Sequence, residues 1–312
     1  MTDLFDHRQV RRSFSRAAPG YDGAAALQRE AGARLMESLD YYDDPALGRP
    51  APQVLLDVGC GPGHASAAMQ ERWPKAQVVA LDLALPMLQQ ARRNHLGRPK
   101  ATGFLPAFLS SPRRPAPVCA DARTLPLREA SVDVLFSNLC LQWVEDLPAV
   151  FAGFRRVLKP GGLMLLSTFG PATLHELRAA FSQADASPHV SLFPDIGQFG
   201  DALIAAGFKN PVLDRDEFVI GHEDLAGLMR ELRALGATNA MVDRRRSLTG
   251  RARFTRAAQA YEAARSDRGT LPATWEVIYA QAWGPEPGVP IRVGGFDEVR
   301  VPASGIPVRR RP

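Results

Sequence analysis

Long apolar runs are missing from this sequence. No stretch reaches the roughly 20 residues that a bilayer-spanning helix needs. Residues 1–16 mix Asp, His, Gln and Arg where an export signal would be apolar, so neither membrane insertion nor secretion is expected. Cysteine is scarce. Cys60, Cys119 and Cys140 stand far apart with no Cys-x-x-Cys pair. That excludes a disulfide framework and predicts reduced thiols in a cytoplasmic protein, two of them in buried strands or at their ends. Metal-ligand spacing is absent as well: the six histidines make no His-Glu-x-x-His or similar cluster, so no metal site is expected. Neither sign of charge dominates. The 38 Lys and Arg against 33 Asp and Glu leave +5, part of it in residues 309–311 at the tail. Such a balance admits an acidic partner without naming one, and no nucleic-acid partner is expected.

What is present is an alternation. Residues 53–58 are almost wholly apolar, the pattern of a parallel strand buried on both faces. Helix-like and strand-like stretches then follow in turn: helix 65–73, strand 77–83, helix 86–95, strands 118–120 and 132–137, helix 147–158, strand 163–169, helix 196–208, and strands 211–220 and 274–283. This rhythm predicts a doubly wound, mostly parallel α/β sheet with helices on both faces. Residues 7–39 have helical spacing broken at Pro19-Gly20 and form an N-terminal helical unit within 1–50. Segments 171–187 and 222–262 read as helices outside the alternation, while the proline-rich 97–117 reads as a surface insertion. Residues 285–312 show no clear element and read as a flexible extension.

Leu56-Asp57-Val58-Gly59-Cys60-Gly61-Pro62-Gly63 joins a strand to a helix. Glycines there let the backbone turn and let a ligand approach closely, with free N–H groups at the helix start. The spacing departs from the Gly-x-Gly-x-x-Gly of dinucleotide folds. Gly59-x-Gly61-x-Gly63 with Asp57 two residues ahead resembles motif I of S-adenosylmethionine methyltransferases. Asp82 ends the next strand about 20 residues on, where an acidic side chain can accept from both ribose hydroxyls; it is also a candidate cap for the helix beginning near Ala84. Asp121-Ala122 follows the third strand, where methyltransferases place an Asp against the adenine amino group. Asn138 ends the fourth strand beside the ligand crevice of such sheets. Lys159-Pro160-Gly161-Gly162 is read as a turn and helix stop without chemistry.

Further stretches sharpen the resemblance: Ala17-Ala18-Pro19-Gly20-Tyr21-Asp22, Asn138-Leu139-Cys140-Leu141-Gln142-Trp143, Leu174-His175-Glu176-Leu177 and Leu235-Gly236-Ala237-Thr238-Asn239. From about residue 8 to 283 the chain is similar to the BioC-type malonyl-[acyl-carrier protein] O-methyltransferases of biotin synthesis. The resemblance implies a Rossmann-like seven-stranded sheet over 51–284, with a helical insertion at 222–262 roofing the acceptor site. It implies S-adenosyl-L-methionine as methyl donor, S-adenosyl-L-homocysteine as product and a malonyl thioester on an acidic acyl-carrier protein (or malonyl-CoA) as acceptor.

The acceptor carboxylate is already ionised at neutral pH, so no general base is called for. A cation that selects a carboxylate is, and Arg230 is the first candidate, with Arg16 and Arg233 behind it. The resemblance places Tyr21 on the N-terminal lid near donor or acceptor, and Gln28 near the methionine end of the donor. Trp143 is core packing or pocket wall. Arg244, Arg245, Arg246, Arg251, Arg253 and Arg256 make a basic stretch able to steer an acidic partner. Three other readings stand beside this one: a methyltransferase of the same fold acting on a quinone or another small molecule, a donor-binding assembly factor that transfers no methyl group, and a dinucleotide oxidoreductase.

Overall fold

The computed structural model describes residues 4–96, 113–247, 250–286, 291–293 and 296–298. Three helices come first, α1 (His7–Ala17), α2 (Tyr21–Ala24) and α3 (Ala26–Glu37). Then follow β1 (Val54–Val58), α4 (His64–Arg72), β2 (Gln77–Asp82), α5 (Leu85–Asn94), β3 (Ala116–Cys119), β4 (Val132–Ser137) and α6 (Leu147–Val157). The second half contributes β5 (Leu158–Phe169), α7 (His175–Ser182), α8 (Ile196–Ala205), β6 (Lys209–His222), α9 (Leu225–Ala234), α10 (Arg251–Glu262) and β7 (Leu271–Trp283).

The seven strands form one sheet in the order β3-β2-β1-β4-β5-β7-β6. The first five are parallel, while β7 runs antiparallel to both its neighbours. Strand order reverses between β1 and β4, and in such sheets the crevice at the carboxyl ends there is the ligand site. The apolar run of β1 is explained by its place: Leu55, Leu56 and Val58 are buried, with helices on both faces. On one face α6 and α8 press Phe151, Phe154 and Phe199 onto the sheet. On the other, Leu35 of α3 and Met69 of α4 do so with Trp73. A third apolar cluster joins α7, α9 and α10 to the ends of β6 and β7.

Four expectations need adjustment. Lys159-Pro160-Gly161-Gly162 is not a turn ahead of β5 but part of it. Leu158 is already extended, and Gly161 at φ +65° takes up a register shift against β4, so the strand begins at once. The 222–262 segment is helical only at α9 and α10, because Gly236 at φ +71° ends the first run. Cys119 is exposed, because β3 lies at the sheet edge; Cys60 is buried, and none of the three cysteines is in a disulfide. Past Gly284, two short strands, β8 (Ile291–Val293) and β9 (Phe296–Glu298), pair antiparallel. Residues 97–112 of the expected insertion, and the rest of the expected extension past Glu286, lie outside the described residues. Among the described residues no helix is long and apolar enough to cross a membrane.

The ring of Phe151 is fully buried and meets Phe199 edge-on at 5.4 Å, with Phe154 and Phe208 each 6.3 Å away. Phe151→Ala therefore leaves a cavity under the sheet. It is expected to cost about 3–5 kcal/mol, read as a lowered urea midpoint at unchanged slope.

Candidate active site

The glycine bend is built by backbone geometry. Gly59, Gly61 and Gly63 all have positive φ, at 72°, 53° and 91°, a region that residues with a Cβ enter at a cost. Contact adds a second demand. A Cβ on Gly59 would lie 2.5 Å from Cys140 Sγ, and one on Gly63 3.0 Å from the Ala91 Cβ. At Gly61 the space is open. The Gly59 and Cys60 N–H groups both donate to the Leu81 carbonyl, at 2.8 and 2.9 Å, which clamps the bend to β2.

Two buried carboxylates lie under it. Asp82 accepts from the Gly61 N–H at 2.9 Å and from the Ala84 N–H at 2.7 Å. Its second bond is an Asx turn before α5 and not a helix cap, since Ala84 itself occupies the N-cap. Burial pushes Asp82 up to about 6 against the pull of those two N–H groups. Asp57 accepts from the Ser66 hydroxyl at 2.5 Å, and burial lifts it to about 7, with Asp82 adding to the rise.

Asp121 takes a bidentate pair from Arg123, Nε at 3.0 Å and Nη2 at 2.7 Å. Burial acts to raise Asp121, but the Arg123 hydrogen bonds and charge together outweigh it and hold the carboxyl below its usual range.

Asn138 is a joint. Its Nδ2 donates to the Gln28 carbonyl at 2.8 Å, and its Oδ1 accepts from the Ser167 hydroxyl at 2.7 Å. The N-terminal helices are thereby tied to β4 and β5. Next to it Leu139 has φ +47°, a strained conformation for a branched residue of the kind that gathers at functional sites.

Three cavities meet around these residues. One, of about 290 Å³, is lined by Gln28, Asp57, Gly59, Gly61, His64 and Asn138 among others. A second, of about 100 Å³, shares Tyr21, Gly59, Gly61 and Asn138 with the first and reaches Asp82, Asp121 and Ala122. The third, of about 330 Å³, adjoins the second at Trp143 and is lined by residues of α7, α9 and the 237–245 segment. Tyr21 therefore sits where the first two join. Burial, then Asp82 and Asp22, hold its phenol well above its ordinary value, so it stays protonated and can only donate or accept a hydrogen bond near neutral pH. Burial likewise pushes the Cys140 thiol up to about 12, which removes it as a nucleophile.

Of the residues singled out in the sequence, Tyr21, Gln28, Asp57, Gly59, Gly61, Asp82, Asp121, Ala122 and Asn138 line one or both of the first two cavities. Gly63 shapes the bend from outside as the N-cap of α4. Arg230 does not join them. It is exposed on α9 and lines none of the three cavities, because Leu225, Leu228 and Leu232 take the inward face of that helix. Exposed Arg16 lines none of them either, whereas Arg233 lines the third. Trp143 is both wall and packing, with Phe14 edge-on at 5.4 Å.

Sequence reasoning passed over Arg245 as one member of a basic run. In space it lines the third cavity and keeps a buried Nε without a hydrogen-bond partner, its Nη2 resting 3.6 Å from Asp185. Trp275 lines the same cavity and also keeps a buried, unpartnered Nε1–H. Neighbouring Arg244 is engaged by Asp6 at 2.9 Å and by the Met241 carbonyl.

Comparison with known proteins bears on what these rooms are for. The family profile described as methyltransferase domain matches residues 56–166. The chain is 55% identical to the malonyl-[acyl-carrier protein] O-methyltransferase of Xylella fastidiosa, over all of this chain and 99% of the other. It is 46% identical to the enzyme of that name from Methylovorus, over 93% of each. Among solved structures, phosphoethanolamine N-methyltransferase 2 of Haemonchus contortus in complex with S-adenosyl-L-methionine superposes with a TM-score of 0.52 at 13% identity. That match covers 92% of this chain and 61% of the other, a likeness of fold alone.

Gly59→Ala, which meets both strain and contact, is expected to lose at least about 2 kcal/mol of stability. Gly61→Ala, which meets strain alone, is expected to lose about 1 kcal/mol. Paired urea titrations check the difference. A second expectation concerns Asp57. Its carboxyl binds its proton more tightly in the folded chain than in the unfolded one, so the linkage cost is absent well below its ordinary value of 3.8 and grows as pH rises from there toward 7. Asp57→Asn should therefore gain stability relative to the parent across that window. A difference between the two proteins that does not vary with pH would contradict this.

Proposed function

The chain belongs to the malonyl-[acyl-carrier protein] O-methyltransferase family, and from that footing we propose how its residues divide the work of methylating the free carboxylate of malonyl-acyl-carrier protein. S-adenosyl-L-methionine supplies an activated methyl group on a sulfonium and leaves as S-adenosyl-L-homocysteine. The residues present fit such a donor: a bend whose Gly61 faces open space with no side chain of its own, and a buried Gln28 Oε1 left without a partner. In this reading Gln28 accepts from the donor's ammonium in the 290 Å³ cavity. Asp82, with lone pairs to spare beyond its two backbone bonds, holds the ribose hydroxyls. Asp121 and Ala122 hold the adenine edge, Asp57 braces the bend through Ser66, and Asn138 keeps α3 against the sheet.

The acceptor lies in the 330 Å³ cavity. One observation carries this: two buried N–H donors, on Arg245 and Trp275, line it and have no partner of their own. An unmet buried donor costs about 1–3 kcal/mol, and a carboxylate relieves that cost where a neutral acceptor atom does so less well. Asp185 spends its Oδ1 on His189 at 2.8 Å, and its Oδ2, 3.6 Å from Arg245 and 3.9 Å from Arg253, is hydrogen-bonded to neither, so Arg245 keeps its donors for the acceptor. Arg245 thus takes the role first expected of Arg230. No side chain needs to remove a proton, since the malonyl carboxylate is ionised already. The work is alignment and exclusion of water, and alignment alone is worth up to roughly 7–11 kcal/mol. Tyr21, at the junction of the donor rooms, orients what passes there. Arg246, Arg251 and Arg256 stand exposed on the α9–α10 stretch and attract an acidic carrier from solution. The ester so formed enters biotin synthesis.

Incubation with S-adenosyl-L-methionine and malonyl-acyl-carrier protein should yield the methyl ester by mass spectrometry, and expression should rescue a biotin auxotroph blocked at this step. Arg245→Met should raise the KM for the carrier-bound malonate by about 10–100-fold, the worth of one charge-assisted hydrogen bond, with donor affinity unchanged. A parental KM in that variant would move the carboxylate partner to Arg233.

A further inference from the structure

We propose that Asp22, His64 and His95 bind a single divalent transition-metal ion, zinc being the ion this donor set suits best. The three residues come from different elements: Asp22 from α2, His64 from the first turn of α4, and His95 from the residue after α5. None is given a contact with the acceptor carboxylate or the methyl group above, although His64 also lines the 290 Å³ cavity.

Their geometry is that of a site with three protein ligands. His64 Nε2 is 2.9 Å from Asp22 Oδ1, and His95 Nε2 is 3.6 Å from Asp22 Oδ2. One ligand atom from each of the three residues lies within 4.8 Å of the others. With bonds of about 2.0–2.2 Å, neighbouring ligand atoms of a tetrahedral zinc stand roughly 3.3–3.5 Å apart; the two measured separations lie on either side of that value and run to different oxygens of Asp22, so the carboxylate turns to present one of them to the ion. The imidazole rings are in contact, centroids 3.9 Å apart and tilted by 44°. His95 Nε2 is buried and has no hydrogen-bond partner. It is an orphaned ring nitrogen beside a carboxylate, 0.7 Å farther from it than the nitrogen of His64, the difference between 3.6 and 2.9 Å.

The surroundings fit an orienting shell. Asn94 Nδ2 donates to Asp22 Oδ2 at 3.2 Å, and Arg29 Nη1 donates to the Asp22 carbonyl at 2.5 Å. The first fixes the carboxylate in place, and the second fixes the backbone that carries it. Two imidazoles and one carboxylate leave a fourth position for water. They suit zinc, cobalt or nickel and disfavour magnesium and calcium, which take oxygen ligands. An ion held here ties α2, and with it Tyr21, to the turn that leaves the glycine bend and to the end of α5.

The full chain, stripped with chelator and freed of any affinity tag, should bind one equivalent of zinc in calorimetry. With cobalt(II) it should show the visible bands of a four- or five-coordinate ion. H64Q and H95Q should each weaken zinc binding at least tenfold, and the double variant should melt like the metal-free parent while losing the rise in Tm that zinc produces. X-ray absorption of the zinc-loaded parent should show only nitrogen and oxygen neighbours, which tests the site even where a variant folds poorly. Absence of saturable binding overturns the proposal, as does binding unchanged in the double variant or a sulfur neighbour at about 2.3 Å from Cys60 or Cys140.

Discussion

Two carboxylates buried beneath a bend of glycine backbone are the constraint on which the site depends. Asp57 and Asp82 sit on adjacent parallel strands, each almost wholly out of water. Each is satisfied locally, Asp57 by Ser66 and Asp82 by the Gly61 and Ala84 N–H groups. The bend can follow this course only because Gly59, Gly61 and Gly63 tolerate positive φ and bring no side chain against Cys140 or Ala91. Burial raises both carboxyls, so the free site stores some unfavourable energy. Ligand hydroxyls and amines are the groups that relieve it.

Around that bend the chain closes two rooms with one cover. Helix α1 faces the 100 Å³ cavity through Val10 and Phe14. The same helix is sewn to the rim of the 330 Å³ cavity. Asp6 N–H donates to the Ala240 carbonyl, Phe5 bridges Met241, Ser13 meets the Thr238 hydroxyl at 2.6 Å, and Arg244 reaches Asp6. Phe5 and Phe14 also grip Trp143, the wall common to the second and third cavities. Displacing the N-terminal helix therefore disturbs the roof of the larger cavity, and the two cavities are coupled by contact and not merely by proximity.

Much of this was legible in one dimension. Local rules governed the parallel strands and the bend, because an all-apolar run such as 54–58 and a Gly-x-Gly-x-Gly turn each carry their own physical reason. The residues that line the first two cavities were readable for the same cause, lying at fixed offsets from strand ends. The lining of the third was not. Which arginine faces inward depends on how α9 rolls onto Leu228 and on the course of the irregular segment after Gly236, neither of which has a periodic signature. Arg230 and Arg245 differ in tertiary placement, not in local pattern. Nor could spacing announce Asp22, His64 and His95, separated by 42 and 31 positions in the chain and joined only when α2 folds over the bend.

The placement of β7 between β5 and β6 has a consequence for biogenesis. β6 has no neighbour in the sheet except β7, and β7 is translated after it. On a ribosome β6 must wait, both edges of its backbone unpaired, until residue 283 has emerged. Helix α1, translated long before, waits for residues 238–244. At about 5–20 residues per second that delay is on the order of ten seconds or more. A nascent chain of this design exposes an unpaired strand from residue 222 until β7 closes on it, so its dependence on chaperones should be set by the β7 segment more than by the parallel strands before it.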